Sequence, residues 1–191
     1  MIIEFQILDT EDFLIEHLDD KQETKEQIAQ FSALNDASGL EYYLKNQALQ
    51  DEKSFSARTY LIKDKITKEL AAYFSLRNGL ITVQAYHESF DTIPAIELSN
   101  FAVNQNYRKN HPEIEKLGSY RLNKFVLPIA RTMQKYVGIT SLYIYALPDE
   151  KLIEHYKTMG FTRLSKKQEK FVQNHIKPKY DEGCVFMFMT L

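Results

Sequence analysis

One carboxylate in this sequence stands where a charged side chain is unexpected. Glu97 lies in the run "IPAIELSNFAV" (93–103), which is otherwise apolar enough for a strand covered on both faces. Burying an ionised carboxylate is costly unless it is paired or takes part in a reaction, so Glu97 is a candidate functional residue. The alternative is a side chain that faces outward on the strand or lies at its edge, and the sequence leaves both open.

The turn that follows this strand is the second candidate. The segment "NYRKNHPEIEKLGSYRL" (106–122) joins a predicted strand to a predicted helix and contains one glycine, Gly118. A glycine-bearing turn at a helix N-terminus can bind phosphate, because its backbone N–H groups present positive partial charge without side-chain bulk. Glu113 and Glu115 in the same segment would repel a phosphate if they faced it.

Composition limits the class of protein. The chain has 191 residues, is 44% hydrophobic and has only six Gly and five Pro, which predicts a single domain, residues 1–191, and excludes a disordered or fibrous protein. Because 24 Lys and Arg stand against 26 Asp and Glu, no global basic excess indicates nucleic-acid binding. There is no apolar run of membrane-spanning length and no secretory leader, so we expect a cytoplasmic protein with no membrane partner.

Histidine and cysteine indicate no further site. The five histidines are scattered without Glu or Cys at ligand spacing, so no metal is expected. Cys184 precedes "VFMFMTL" and is predicted to be a small buried hydrophobic residue of a final strand, not a catalytic thiol.

Hydrophobic periodicity gives the elements of the first half. Residues 10–50 carry apolar side chains at helical spacing and predict N-terminal helices. Lys68 and the pair Asn78 and Gly79 are predicted to form turns between strands. Three runs rich in β-branched and aromatic residues predict successive antiparallel strands: 57–64, 69–77 and 79–86.

The second half predicts alternating strands and helices. Apolar residues recur at three- and four-residue spacing from Leu122 to Val137 and predict a helix, in which Pro128 should cause a kink. Asp149 is predicted to cap a short helix that Gly160 ends. The other predicted elements are a strand at 95–103, a buried strand at 141–147, a polar lysine-rich segment at 165–183 and a last strand at 184–191.

Three segments resemble the acetyl-CoA-binding core of the GNAT superfamily of N-acetyltransferases: "IELSNFAVNQNYR", "LGSYRL" and "YIYALPDEKLIEHYKTMGF". That core has a strand ending in Ala-Val, a glycine turn, a long helix, a strand, and a short helix ending in Tyr-x-x-x-Gly-Phe. The match covers roughly residues 57–163. It implies an α/β (α+β) fold with N-terminal helices and a central mixed sheet of six to seven mostly antiparallel strands, with one parallel pair and flanking helices.

The resemblance also implies an activity, which is direct transfer of an acetyl group from acetyl-CoA to an amine. Glu97, six residues before the end of the strand, would be the general base, and Tyr156 would be the acid that protonates the departing thiolate. Tyr156 is alternatively one more core aromatic among twelve tyrosines. The backbone of Phe101, Ala102 and Val103 would hold the oxyanion and the pantetheine arm.

The pyrophosphate turn departs from the superfamily pattern, which is Arg or Gln, two residues, Gly, one residue, and Gly or Ala. Here Tyr107 and Arg108 open it, about six residues intervene, and it resumes with Lys116 in the place of the first glycine. The side chain of Lys116 could add charge to a phosphate contact. The resemblance implies contacts to acetyl-CoA from Arg108, Lys116, Leu117, Gly118 and Ser119.

The N-terminal helices choose the acceptor in this superfamily. Here "LEYYLKNQALQDEKSFSARTYLIKD" resembles toxin-type members, which acetylate aminoacyl-tRNA and pair with a DNA-binding antitoxin. Those proteins usually keep an intact glycine turn and strong basic patches, and this chain has an acidic balance and an interrupted turn. A small-molecule or peptide amine is therefore the expected acceptor, and aminoacyl-tRNA is the first alternative.

A second alternative is a catalytically silent module that binds acyl-CoA or a partner through the stretched turn. The lysines at 166, 167, 170, 177 and 179 predict either a basic patch or, more commonly for such a run, a solvated loop. The sequence does not decide the assembly state, and a homodimer is among the options.

Overall fold

The computed structural model describes residues 10–34, 37–85, 89–112, 114, 118, 122–175 and 183–191. The strands are β1 (Phe13–His17), β2 (Arg58–Asp64), β3 (Leu70–Gln84), β4 (Phe90–Val103), β5 (Ser141–Ala146), β6 (Thr162–Arg163) and β7 (Val185–Thr190). The helices are α1 (Gln22–Ala29), α2 (Ser38–Asn46), α3 (Ala48–Lys53), α4 (Gln105–Asn110), α5 (Leu127–Tyr136), α6 (Glu150–Thr158) and α7 (Lys166–His175), and a π-helical turn, Leu122–Val126, leads into α5.

The strands form one mixed sheet in the order β1-β2-β3-β4-β5-β7-β6. Strand β4 pairs with β5 in parallel, while β1 with β2, β2 with β3, β5 with β7 and β6 with β7 pair antiparallel. A parallel pair needs a crossover connection, and the segment with α5 provides it between β4 and β5. The predicted fold class, a mostly antiparallel sheet with one parallel pair and flanking helices, is confirmed.

The chain divides into two compact units. The first contains Met1–Leu76 and Asn100–Pro128, and the second contains Arg77–Ser99 and Ile129–Leu191. Strands β3 and β4 and the helical segment from Leu122 to Tyr136 therefore run through both. The single domain expected from the composition stays a prediction.

The first unit has its core between the N-terminal helices and strands β2 and β3. Phe31 and Tyr73 are fully buried and meet edge to face with ring centroids 5.4 Å apart. The Tyr73 hydroxyl donates to the carbonyl of Leu40, 2.6 Å away, so the ring packs without leaving its polar group unpaired. The other buried members of this core are Leu18, Ile28, Ala33, Leu44, Ala48, Leu61, Leu70 and Ala102.

Asn104 fixes the point where β4 ends and α4 begins. Its buried side chain accepts from the N–H groups of Asn106 (3.1 Å) and Ser32 (3.2 Å) and donates to the carbonyl of Leu70 (2.7 Å). The first of these bonds is a helix N-cap. Because every one of these groups is paired, the chain leaves the sheet at one defined position.

The second unit has an aromatic core on one face of β3, β4, β5 and β7. Ile81, Ala95, Tyr143 and Phe186 form its buried centre. The half-buried residues packed around them are Val83, Ile93, Tyr145, Leu164 and Phe188. This face carries the candidate site.

Three sequence predictions of secondary structure are wrong. Phe13 and Leu18 were expected in a helix, but residues Phe13–His17 form β1, in which Phe13 and Ile15 alternate inward. A five-residue strand is too short to show its period of two against the flanking apolar residues. Asn78 and Gly79 form no turn, because β3 runs through them. The lysine-rich segment is not simply a loop, because it contains α7.

Other elements agree with the sequence. The turn at Lys68 has a left-handed φ of 62°. The predicted N-terminal helices are present as α1, α2 and α3, and Asp149 caps α6 by accepting from the Leu152 N–H at 2.8 Å. The π-helical turn directly precedes the segment with Pro128, whose missing N–H cannot complete a regular α-helical ladder.

No helix within the described ranges combines the length and the apolar content needed to cross a membrane.

Candidate active site

Three polar side chains meet on three neighbouring strands. Arg77 of β3 donates from Nε to Glu97 Oε2 at 2.9 Å and from Nη2 to Glu97 Oε1 at 2.7 Å. Tyr143 of β5 donates from its hydroxyl to the same Oε2 at 3.0 Å. Glu97 lies on β4, between the other two strands. We call Arg77, Glu97 and Tyr143 the Glu97 cluster, and all three belong to the second unit.

Strand register explains why these residues meet. Glu97 and Tyr143 are direct partners in the parallel pairing of β4 with β5, so their side chains point to the same face. The same face is the aromatic core side, where the Tyr143 ring lies 5.5 Å from the ring of Phe186. A carboxylate on this face needs partners, and the bidentate guanidinium supplies two hydrogen bonds in a matching planar geometry.

Gly79 makes room for the Tyr143 ring. A Cβ built on Gly79 would overlap the Tyr143 hydroxyl and lie 2.8 Å from ring atoms Cε1 and Cζ. Tyr143 therefore reaches across β4 and lies against the backbone of β3, which only a residue without a side chain permits. Gly79, which the Asn-Gly pattern predicts in a turn, is therefore an in-strand glycine with a packing role.

We predict that Gly79→Ala destabilises the protein by about 1–3 kcal/mol, because the added methyl group displaces the Tyr143 ring and its hydrogen bond to Glu97. The measurement is urea unfolding of the variant against wild type. Gly138→Ala is the matched control, since a Cβ at Gly138 meets nothing within 4 Å. Equal stability of the two variants would mean that the Tyr143 ring does not need this close approach.

Burial settles one of the two alternatives for Glu97. The residue is 8% exposed, so it neither faces outward nor lies at a free edge. Its charge is balanced by Arg77, and its oxygens accept three hydrogen bonds. Burial, and then the nearby charge of Glu97, raises the pKa of Tyr143, so this hydroxyl stays protonated and donates. The catalytic role of Glu97 stays a prediction.

Tyr156 is positioned by the C-terminal cap of α6. Gly160 has a left-handed φ of 97°, its N–H donates to the Lys157 carbonyl at 3.0 Å, and the Phe161 N–H donates to the Tyr156 carbonyl at 3.1 Å. This pair of bonds is a Schellman motif, which favours glycine at this position and an apolar contact across the cap. Phe161 makes that contact edge to face with Tyr156, with centroids 5.5 Å apart. The spacing Tyr-x-x-x-Gly-Phe thus has a structural cause.

The Tyr156 ring is packed against Phe161, whereas its hydroxyl has no hydrogen-bond partner among the described residues. The residue is 5% exposed, and burial raises its pKa above the usual value for tyrosine. Buried tyrosine hydroxyls usually have a partner, yet within the part of the chain that is described no hydrogen bond reaches this one. Among the described residues no hydrogen bond joins Tyr156 to Glu97. Burial thus keeps the hydroxyl protonated at neutral pH, and the catalytic role of Tyr156 stays a prediction.

The residues predicted to hold acetyl-CoA lie in different surroundings. Phe101, Ala102 and Val103 are the last residues of β4, with Ala102 buried in the core of the first unit. Tyr107 and Arg108 lie within α4, where Tyr107 is buried and Arg108 is exposed, and the contact of Arg108 to the cofactor stays a prediction. The Tyr107 hydroxyl is bonded to Asp64 at 2.6 Å, which anchors this helix.

The rest of the predicted phosphate turn is not available for comparison. Lys116, Leu117 and Ser119 lie outside the described residues, and Gly118 is described without its neighbours. Their contacts to the cofactor stay predictions.

Strand β4 pairs with β5 over three residue pairs, from Ala95 with Ser141 to Glu97 with Tyr143. Strand β5 also pairs with β7 as far as Ala146.

The described residues include no group of three or more His, Cys, Asp or Glu that could hold a metal ion.

The chain is similar in structure to several solved proteins. The chain matches the toxin AtaT complexed with acetyl-methionyl-tRNAfMet at TM-score 0.66 and 18% identity, over 94% of this chain and 95% of that one. It matches a tyrosine-to-phenylalanine mutant of KacT at TM-score 0.64 and 19% identity, over 94% and 95%. It matches AtaTR bound with acetyl-CoA at TM-score 0.59 and 19% identity, over 95% and 94%.

No family model matches the sequence. At identities below one fifth, the structural matches concern the fold, and they extend over nearly the whole of each chain. The GNAT fold predicted from the sequence is thereby confirmed, and the chain shares its fold with the toxin AtaT and with KacT.

Proposed function

We propose that this protein transfers the acetyl group of acetyl-CoA to the α-amino group of an aminoacyl-tRNA. The observation that carries the proposal is the likeness to AtaT complexed with acetyl-methionyl-tRNAfMet, which covers 94% of this chain. That coverage includes the N-terminal helices, which choose the acceptor in the superfamily. It moves aminoacyl-tRNA ahead of the small-molecule or peptide amine expected from the charge balance.

Acetyl-CoA supplies an activated acetyl thioester. The end of β4 suits it, because the pantetheine arm carries amide groups that can pair with strand backbone. In the transfer, the amine nitrogen forms a bond to the acetyl carbon, the carbon–sulfur bond breaks, and the amine loses one proton while the thiolate gains one. We propose Phe101, Ala102 and Val103 as the backbone donors for this ligand.

Tyr156 is the proposed source of the proton for the thiolate. Its raised pKa keeps it protonated throughout the physiological range, and within the described residues its hydroxyl has no competing partner. A hydroxyl in a dry site stabilises developing negative charge more strongly than one in water. The departing sulfur is the atom that needs such a donor.

The proposed acceptor needs a general base less than a lysine-type amine does. An α-amino group has a pKa of roughly 7.7–8.0, so a substantial fraction, on the order of a third, is already neutral near pH 7.5. A lysine-type amine, with a pKa near 10.4, would need a base far more. Glu97 is held by Arg77 and Tyr143, and to act as the predicted base it would have to give up part of that bonding. An aminoacyl-tRNA acceptor is therefore chemically consistent with the Glu97 cluster.

A labelled transfer assay tests the proposal. Purified protein, acetyl-labelled acetyl-CoA and a mixture of aminoacyl-tRNAs should give label in acid-precipitable RNA. Brief alkaline hydrolysis of the ester should release that label as an N-acetylated amino acid. Deacylated tRNA and aminoacyl-tRNA with a blocked amine should take up none. Efficient acetylation of polyamines or peptide amines, with no label in tRNA, would contradict the proposal and restore the amine acceptor expected from the sequence.

AtaT has also been solved with the C-terminus of the antitoxin AtaR. We extend the proposal to a protein partner of that kind, which co-purification from cells that express the neighbouring genes would test.

A further inference from the structure

Helix α7 presents three lysines outward, and none of them is paired with a carboxylate among the described residues. Lys166, Lys167 and Lys170 are exposed, and no ion pair between described residues includes them. The sole carboxylate in the helix sequence "KKQEKFVQNH" is Glu169, which is buried. The outer surface of α7 is therefore positive, although the protein as a whole has a net charge of −2.

Glu169 is turned inward by two bonds. Its Oε2 accepts from Arg163 Nη2 of β6 at 2.9 Å, and its Oε1 accepts from the Phe186 N–H of β7 at 3.2 Å. Both oxygens are thus used within the second unit and cannot neutralise the lysines. In a fully solvated helix this carboxylate would face outward, where it could pair with Lys166, three residues before it.

A second attachment holds α7 to β3. The Gln168 side chain accepts from the Gln84 N–H at 3.0 Å and donates to the Gln84 carbonyl at 3.1 Å. With Glu169, the helix is fixed at two adjacent positions to three strands, β3, β6 and β7. The lysines therefore project from a support with defined geometry, which lowers the entropy cost of binding a ligand through them.

The attachment brings α7 beside the Glu97 cluster. Phe186, whose N–H is bonded to Glu169, packs its ring 5.5 Å from the ring of Tyr143. Leu164, just before the helix, packs against the same aromatic core. The positive surface and the Glu97 cluster thus lie on one structural unit and share a core.

We propose that Lys166, Lys167 and Lys170 of α7 bind the phosphates of the tRNA acceptor. The inference rests on the proposed function for the identity of the polyanion. Charge selects the class of ligand, because three unneutralised lysines attract a phosphate backbone and repel a cationic amine. The first and last of these lysines are four residues apart, or about 6 Å along the helix axis, which matches a short stretch of one RNA strand. Lysine contacts of this kind give affinity without reading the base sequence.

The test uses uncharged tRNA, so that binding is measured independently of acetyl transfer. The full-length triple variant Lys166→Ala, Lys167→Ala, Lys170→Ala should bind tRNA about 10- to 100-fold more weakly than wild type at moderate salt. The slope of log affinity against log salt should become shallower by about 2–3, since each phosphate contact contributes roughly 0.7–0.9. Alanine is the best helix former, so α7 should persist in the variant.

The control variant Lys21→Ala, Lys25→Ala, Lys53→Ala removes the same charge from lysines that are already paired with Asp19 or Asp20. It should keep the wild-type slope within about 1. If both triple variants lost tRNA affinity to the same extent, the change in net charge alone would explain the loss, and the proposal would be overturned. The proposal would also be overturned if the α7 variant bound tRNA as well as wild type does, or if wild type did not bind tRNA. Either result would point to an acidic protein as the partner of α7.

Acetylation of a small aminoacyl ester separates the two proposals. If the α7 variant acetylates the ester as well as wild type does but loses tRNA binding, both proposals are supported. If wild type acetylates neither ester nor aminoacyl-tRNA while still binding tRNA through α7, the proposed function fails and the binding surface stands.

Discussion

Replacing Tyr156 by phenylalanine should lower kcat for acetyl transfer by about 10²- to 10⁴-fold and leave the affinity for acetyl-CoA unchanged. The size of the loss is that of a positioned proton donor. Affinity should persist, because the ring and its contact with Phe161 remain and only the hydroxyl is removed. Single-turnover kinetics with saturating acetyl-CoA, together with calorimetric titration of the cofactor, would measure the two quantities separately.

The pH dependence sharpens this test. Because burial raises the pKa of Tyr156 above the usual value for tyrosine, the protonated form that donates persists through neutral and mildly alkaline pH and is lost only at high pH. Wild-type kcat should therefore show no alkaline decline attributable to Tyr156 between pH 6 and about 9.5. A decline in this range that disappears in Tyr156→Phe would mean that the hydroxyl titrates lower than its burial implies.

Stability provides the control for a structural effect. Within the described residues the Tyr156 hydroxyl has no partner to lose, so Tyr156→Phe should unfold at a midpoint close to that of wild type. Tyr136→Phe removes a hydroxyl from an exposed residue of α5 and should change neither activity nor stability. Full activity of Tyr156→Phe would mean that Tyr156 is not the proton donor and serves only as an aromatic residue of the core.

The elements that could be predicted from the sequence are those that depend on a few adjacent residues. Asp149 and Gly160 bound α6 because capping depends on a few adjacent residues, and both residues are found in their expected roles. The strand after α5 could be predicted because an apolar run of six residues between two helices has few other structures. The parallel pair followed from the order of these elements and from the resemblance to a known core.

The Glu97 cluster depends on long-range pairing that the sequence does not display. Arg77 and Glu97 are twenty residues apart, and Tyr143 is forty-six residues from Glu97. The signal available was Arg77 itself, a charge next to a strand-like apolar run, but the Asn-Gly pair beside it indicated a turn. In the structure that glycine serves close packing within β3, so tertiary contact outweighed the local turn preference.

Helix α7 was missed for a related reason. Its lysines and glutamines lack the apolar stripe by which helices are recognised, and the segment is held to the sheet through Gln168 and Glu169 instead. A helix attached by hydrogen bonds has no hydrophobic period to detect. The buried glutamate, the residue that fixes α7, looks in the sequence like one more solvated charge.

Glu97→Gln should destabilise the protein by about 2–3 kcal/mol, because an amide cannot satisfy Arg77. Whichever way the amide is turned, its NH₂ group faces either Nε or Nη2 of Arg77, and both of those are donors. For a chain of this length the midpoint of thermal unfolding should fall by roughly 4–12 °C. Arg77→Met combined with Glu97→Gln should be less destabilised than the sum of the single variants, since the unpaired guanidinium is gone.

Activity measurements decide whether Glu97 is also the base. At pH 8.5 the α-amino group of the acceptor is mostly neutral, so a variant impaired only in structure should keep kcat within about threefold of wild type at a temperature where it is folded. If Glu97 accepts the proton, the loss at the same pH should be about 10²-fold or more. We expect the smaller effect, because a carboxylate that accepts both donors of Arg77 and the hydroxyl of Tyr143 is committed to holding β3, β4 and β5 together.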